Sequence, residues 1–97
     1  MNIKENEGYK LLVKALVAIK DEDECYSFLE DLMTKREMLD ISQRLLVAKM
    51  LSEQAVYSKI VEDTGASTAT ISRVNRCYSY GDGGYAMILK KLEEEEK

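Results

Sequence analysis

No proline stands anywhere in this chain of 97 residues. Proline is the strongest breaker of helices, so helical runs here are interrupted only by glycine and by polar clusters. With 33% charged and 45% apolar residues, the chain reads as helices joined by short turns, and no strand pattern is visible. Its length suits a single domain over residues 1–97, since domains typically run about 100–150 residues.

Periodicity and capping residues predict about six helices. The first runs from about Asn6 to Lys20, and Leu11, Leu12, Val13, Ala15, Leu16, Val17, Ala18 and Ile19 leave its second half almost no polar face. A helix apolar all round must be covered all round, which predicts a core shared between subunits. Asp21 to Glu24 supply the acidic start of a second helix with Cys25, Phe28, Leu29 and Leu32 on one stripe. Thr34 and Glu37 have capping-box spacing and open a third helix, Lys35 to about Ser52, striped by Met38, Ile41, Leu45 and Ala48 and widened by Leu39, Leu46 and Met50. A fourth spans about Val56 to Asp63, and a fifth follows the N-cap Ser67 as far as Tyr80. Gly81 is placed to end that helix in a left-handed conformation. A last helix covers about residues 85–92, before the Glu93–Glu96 run frays. Residues 1–52 thus read mainly as dimerisation helices and 56–80 as a helix-turn-helix.

Several function classes fall away. The apolar run from Leu11 is broken by Lys14 and ends at Lys20, well short of the ~20 residues that span a bilayer. No signal peptide is visible, and a cytoplasmic protein is expected. Cys25 and Cys77 have no CxxC spacing and the chain has no histidine, so no metal site is expected and both thiols should be reduced and largely buried. Without histidine a nucleophile would have to rely on lysine or a carboxylate as its base, and no paired carboxylates fall next to a Cys or Ser at active-site spacing, so the chain is not expected to be an enzyme. Gly81-Asp82-Gly83-Gly84 is a turn and not a phosphate loop, because the Lys-Ser/Thr ending is absent. Tyr78, Tyr80 and Tyr85 around it should close a small hydrophobic core.

The informative segment is Tyr57 to Arg76, YSKIVEDTGASTATISRVNR. A helix-turn-helix needs an apolar residue inside its first helix, here Ile60, and a turn residue that tolerates a left-handed backbone, here Gly65. Ala66, Ile71 and Val74 can face inward on the second helix, while Val61 occupies a slot where such motifs often carry alanine. The outward face offers Ser67, Thr68, Ala69, Ser72, Arg73 and Arg76: small residues for groove entry, hydroxyls, and guanidinium groups. Between Thr64 and Gly81 there is no acid, in a chain with 18 acidic residues and net charge −4. The electrostatic contact with DNA is local, so the overall charge does not oppose it. Thr64, Ser67, Thr68, Thr70 and Ser72 are also mediocre helix formers, an odd choice for a merely solvated face.

Gly65 to Cys77, GASTATISRVNRC, resembles the signature of the Trp-repressor-like family of the YerC/YecD type, and Thr34 to Leu51 is similar to its dimerisation-helix segment. The resemblance implies an all-α, entwined homodimer that presents two recognition helices to successive major grooves of double-stranded DNA. The DNA-binding residues it points to are Ser67, Thr68, Ala69, Thr70, Ser72, Arg73 and Arg76. No cofactor is expected beyond a small-molecule corepressor of unknown identity. For that ligand the resemblance offers Arg44 and Arg73 as pocket residues, although Arg44 could equally pair with Asp40. The expected function is a sequence-specific transcriptional repressor. The alternative is a helical dimer that uses its helix-turn-helix for protein–protein contact.

Overall fold

The computed structural model describes residues 2–96, which form a 3-10 turn at Ile3–Glu5, six α-helices and no strand. They fall into two compact units, one ending at Lys35 and the other beginning at Arg36.

In the first unit lie α1 (Glu7–Ala18) and α2 (Glu22–Leu32). Asn6 caps α1 by accepting the Tyr9 N–H at 2.9 Å. The helix stops short of Lys20 because the α2 cap claims the chain first. Asp21 Oδ1 accepts the Glu24 N–H at 2.8 Å while Glu24 Oε1 accepts the Lys20 N–H at 3.1 Å, and this reciprocal pair holds the junction extended. Neither helix contains a buried residue.

The second unit holds α3 (Lys35–Ser52), α4 (Tyr57–Thr64), α5 (Thr68–Tyr80) and α6 (Gly84–Glu95). Its core is Val47 and Ala48 from α3, Ile60 from α4, Ala66 from the turn, and Ile71 and Val74 from α5. Met50, Leu51, Ala55, Tyr85 and Leu89 pack against them. The stripe expected on α3 contributes only Ala48 to the buried set; Leu39, Ile41, Leu45 and Leu46 are exposed, and Val47, off that stripe, is fully buried. The helix is apolar on more than one side, and the inward side is the one that meets α4 and α5.

Two helix ends depart from expectation. α3 closes with Gln54 in the left-handed region, φ 63°. The Ala55 N–H donates to Met50 O and the Gln54 N–H to Leu51 O, both at 3.0 Å, the bond pair of a Schellman motif whose left-handed residue is ordinarily glycine. Gly81, by contrast, is not left-handed, with φ −84° and ψ −156°. Glycine is required there for clearance, because a Cβ would fall 2.3 Å from the Cys77 carbonyl oxygen. The left-handed residue of this turn is Gly83, φ 84°, which precedes α6. That helix continues to Glu95 instead of fraying at Glu93; its terminal carboxylates are exposed, where water and salt weaken their mutual repulsion.

Both cysteines are free, but Cys25 is half-buried and Cys77 exposed. Cys77 lies about 120° round the helix from Ile71 and about 90° from the mean direction of buried Ile71 and Val74 at 3.6 residues per turn, so it sits on the flank and the burial expected for it fails. Of the tyrosines, Tyr85 packs on the core but Tyr80 is 88% exposed. Among the described residues no helix is long and apolar enough to cross a membrane, and no group of three or more potential ligands could hold a metal ion.

Candidate nucleic-acid interface

The α4–turn–α5 segment is built around small and branched apolar contacts. Ile60 and Ile71 are fully buried, with Ala66 and Val74 beside them. Gly65 adopts φ 71°, ψ 5° and donates its N–H to Val61 O at 2.9 Å, which ends α4 and turns the chain. Val61 does not obstruct the helix approach, since its side chain lies on the exposed side, 37% accessible. Thr64 braces the turn from within: its hydroxyl donates to Ile60 O at 2.7 Å and accepts the Ala66 N–H at 3.1 Å.

Ser67 caps α5. Its Oγ accepts the Thr70 N–H at 3.1 Å and donates to Thr70 Oγ1 at 3.0 Å. Thr70 is therefore half-buried and engaged, whereas Ser67, Thr68, Ala69, Ser72, Arg73 and Arg76 all lie exposed along the same helix. Among the described residues neither Arg73 nor Arg76 has an ion-pair or hydrogen-bond partner. Asp63, the acid at the near edge of the acid-free window, is held by Lys59 at 3.3 Å. The face thus presents small side chains at the start of a 13-residue helix, where the amide dipoles add positive potential, and unneutralised positive charge in the second and third turns.

Periodicity gave no sign of two polar links that fasten this segment. Gln43 on α3 donates from Nε2 to the Thr64 carbonyl at 3.1 Å. Asn75 on α5 donates from Nδ2 to Tyr57 Oη on α4 at 3.1 Å and accepts from Ser79 Oγ at 3.2 Å. Both joins are between residues distant in sequence, which leaves no local spacing to read; only the Asn75–Ser79 separation of one helical turn could have drawn attention.

Arg44 is exposed on α3. It does not pair with Asp40, whose Oδ1 lies 3.5 Å from Arg36 Nε. No bond joins Arg44 to Arg73, and neither lines the cavity of about 530 Å³ that opens between Lys49 and Glu53 on α3, Tyr78 on α5 and Leu89 on α6.

Residues 7–93 match the family described as Trp repressor protein. The chain belongs to the Trp repressor family. It is 47% identical over 98 residues to the Bacillus subtilis (strain 168) protein YerC, spanning 99% of this chain and 94% of that one. A TrpR-like protein from Eubacterium eligens ATCC 27750 superposes with a TM-score of 0.90 at 47% identity over 96% of each chain. A Staphylococcus aureus protein described as a candidate Trp repressor gives 0.88 at 40% identity, over 96% of this chain and 95% of that one. The all-helical fold is therefore that of the Trp repressor family, and α4 and α5 occupy a transcription-regulator-like frame.

Proposed function

We propose that this protein is a sequence-specific DNA-binding transcriptional repressor that acts as a homodimer in the cytoplasm and inserts α5 into the major groove. The observation that carries the reading is the outer face of α5, where Arg73 and Arg76 stand exposed and unpaired in a window without a single acid. In that arrangement an arginine can bind guanine O6 and N7 in bidentate fashion or neutralise a phosphate. Thr68, Ala69 and Ser72 allow close approach to base edges and sugar-phosphate. Ser67 and Thr70 fix the start of the helix, and the Ser67 hydroxyl can donate to phosphate only by turning from Thr70 Oγ1. No cofactor is needed for this contact; a small-molecule corepressor between Arg44 and Arg73 would act on affinity and not supply the contact itself.

Dimerisation is supported by apolar surface that the single chain leaves uncovered, including Leu11 and Val17 on α1 and Leu39 and Leu46 on α3. Monomeric proteins rarely keep such patches bare. A two-fold dimer favours a near-palindromic site, with half-sites about 34 Å or roughly 10 base pairs apart.

The experiment is selection of bound duplexes from a random pool at low and moderate salt. The reading expects enrichment of symmetric sites at that spacing, and loss of tight binding when five base pairs are inserted between half-sites. Absence of duplex binding even at low salt would favour the protein–protein alternative.

A further inference from the structure

Apolar packing holds the helix-turn-helix against α3 and sets its angle only to within roughly 15–20°, the scatter left by side chains that interdigitate. Val47 and Ala48 meet Ile60, Ala66 and Ile71 in this way. The turn carries polar bonds of its own: Gly65 N–H to Val61 O, Thr64 Oγ1 to Ile60 O, and Ala66 N–H to Thr64 Oγ1. All three lie within the segment and move with it. Among the described residues one hydrogen bond ties the turn to the outside, from Gln43 Nε2 to the Thr64 carbonyl at 3.1 Å. It spans 21 residues, is partly shielded from water, and satisfies a carbonyl that α4, ending at Thr64, leaves without a helical donor.

We infer that Gln43 is a positioning residue for DNA recognition, setting the angle of α5 relative to α3 through the Thr64 carbonyl. This rests on the reading of α5 as the recognition helix. Gln43 touches no DNA itself. Its bond orients the turn, and through Ala66 and the Ser67 cap the turn orients the exposed Arg73 and Arg76. A fixed angle matters for base contacts, which demand aligned donors, and hardly at all for the loose electrostatic attraction to phosphate.

The test compares affinity for a duplex selected from the random pool with affinity for its scrambled sequence at one salt concentration. Gln43→Met keeps the length of the side chain and removes the donor; Gln43→Glu keeps its shape and puts an acceptor against the carbonyl. Each should lower the ratio of selected to scrambled binding by about three- to tenfold, the scale of one lost neutral hydrogen bond; scrambled binding is unchanged in Gln43→Met and falls in Gln43→Glu only by the charge effect that acts on both duplexes alike. Gln43→Lys restores a donor and should restore the ratio, since its added charge raises both affinities together. Faster amide exchange at Gly65 and Ala66 should accompany the loss, and melting curves verify that each variant is folded at the assay temperature. If the wild-type chain shows no preference for the selected duplex, the DNA reading itself fails. If the wild type discriminates and Gln43→Met keeps the full ratio, or if in Gln43→Met both affinities fall together, the positioning role is overturned. Should Gln43→Met not fold, Gln43→Glu and Gln43→Lys carry the same comparison.

Discussion

In the first unit, α1 and α2 leave Leu11 68% and Val17 80% exposed and bury nothing. In the second, four helices close over Val47, Ala48, Ile60, Ala66, Ile71 and Val74 with no buried polar residue among them. Both stretches are rich in aliphatic side chains. Apolar sequence states that a residue gains from burial but does not state which chain will bury it. The second unit has a core of its own, and the first carries apolar surface that a single copy leaves open, as expected if a partner copy completes it.

The largest effect should come from the first unit. In the proposed dimer, Leu11→Asp with Val17→Asp removes two apolar contacts worth about 1.5–3 kcal/mol each, and brings charge into a dry interface. We expect loss of the dimer by light scattering and a sharp fall in the melting temperature. In the wild type the melting temperature should rise with protein concentration. On a monomer these would be ordinary surface changes, within about 0.5 kcal/mol, so a melt that ignores both the substitutions and the concentration would break the comparison.

Next comes the core of the second unit. Ile71→Ala deletes a fully buried branched side chain and should cost about 2–5 kcal/mol, the range for cavity-forming truncations. Hydrogen exchange should show the loss in amides of α4 and α5. A cost below about 1 kcal/mol would mean that this core is loosely packed.

The two units were not equally legible. Ser67 as the α5 cap, Gly65 as the left-handed turn, and Ile60, Ala66, Ile71 and Val74 as the inward residues all follow from short-range rules. The same rules misplaced the α3 face, because that helix is apolar on several sides and periodicity cannot choose between them. Gln43 carries no signal, since its bond to Thr64 has no sequence period, and Asn75 carries only its one-turn separation from Ser79. Residue type predicts a buried Cys77, whereas helix geometry turns it outward.

Exposure has a second meaning on α5, and the next effect sharpens it. Arg73→Ala and Arg76→Ala should leave the melting temperature nearly unchanged, since neither side chain has a partner to lose. Each should weaken binding to the selected duplex by roughly 1–3 kcal/mol if it reads a guanine, relaxing specificity at one position. A phosphate contact would instead weaken all sequences alike and reduce the salt slope by about one. Full binding by the double variant would remove this face from the interface.

The smallest effect lies inside the second unit, where two left-handed helix ends can be set against each other. Gly65 and Gln54 sit at φ 71° and φ 63°. For a residue with a Cβ that region costs about 1–2 kcal/mol, while glycine carries about 0.5–1 kcal/mol of extra unfolded-chain entropy. The Gln54 side chain is exposed, and the bonds at this joint belong to the backbone, from Ala55 N–H to Met50 O and from Gln54 N–H to Leu51 O. Gln54→Gly should therefore relieve strain and lose nothing, for a gain of about 0.5–1 kcal/mol, or roughly 2–8 °C for a chain this size. Gly65→Ala should move the other way by a similar amount. A Cβ at Gly65 would meet no atom within 4 Å, so its cost is conformational and not steric. Melts of both variants at matched concentration isolate the backbone term. If Gln54→Gly lowers the melting temperature, the glutamine side chain makes a stabilising contact in the dimer, and the second unit too would need its partner to be complete.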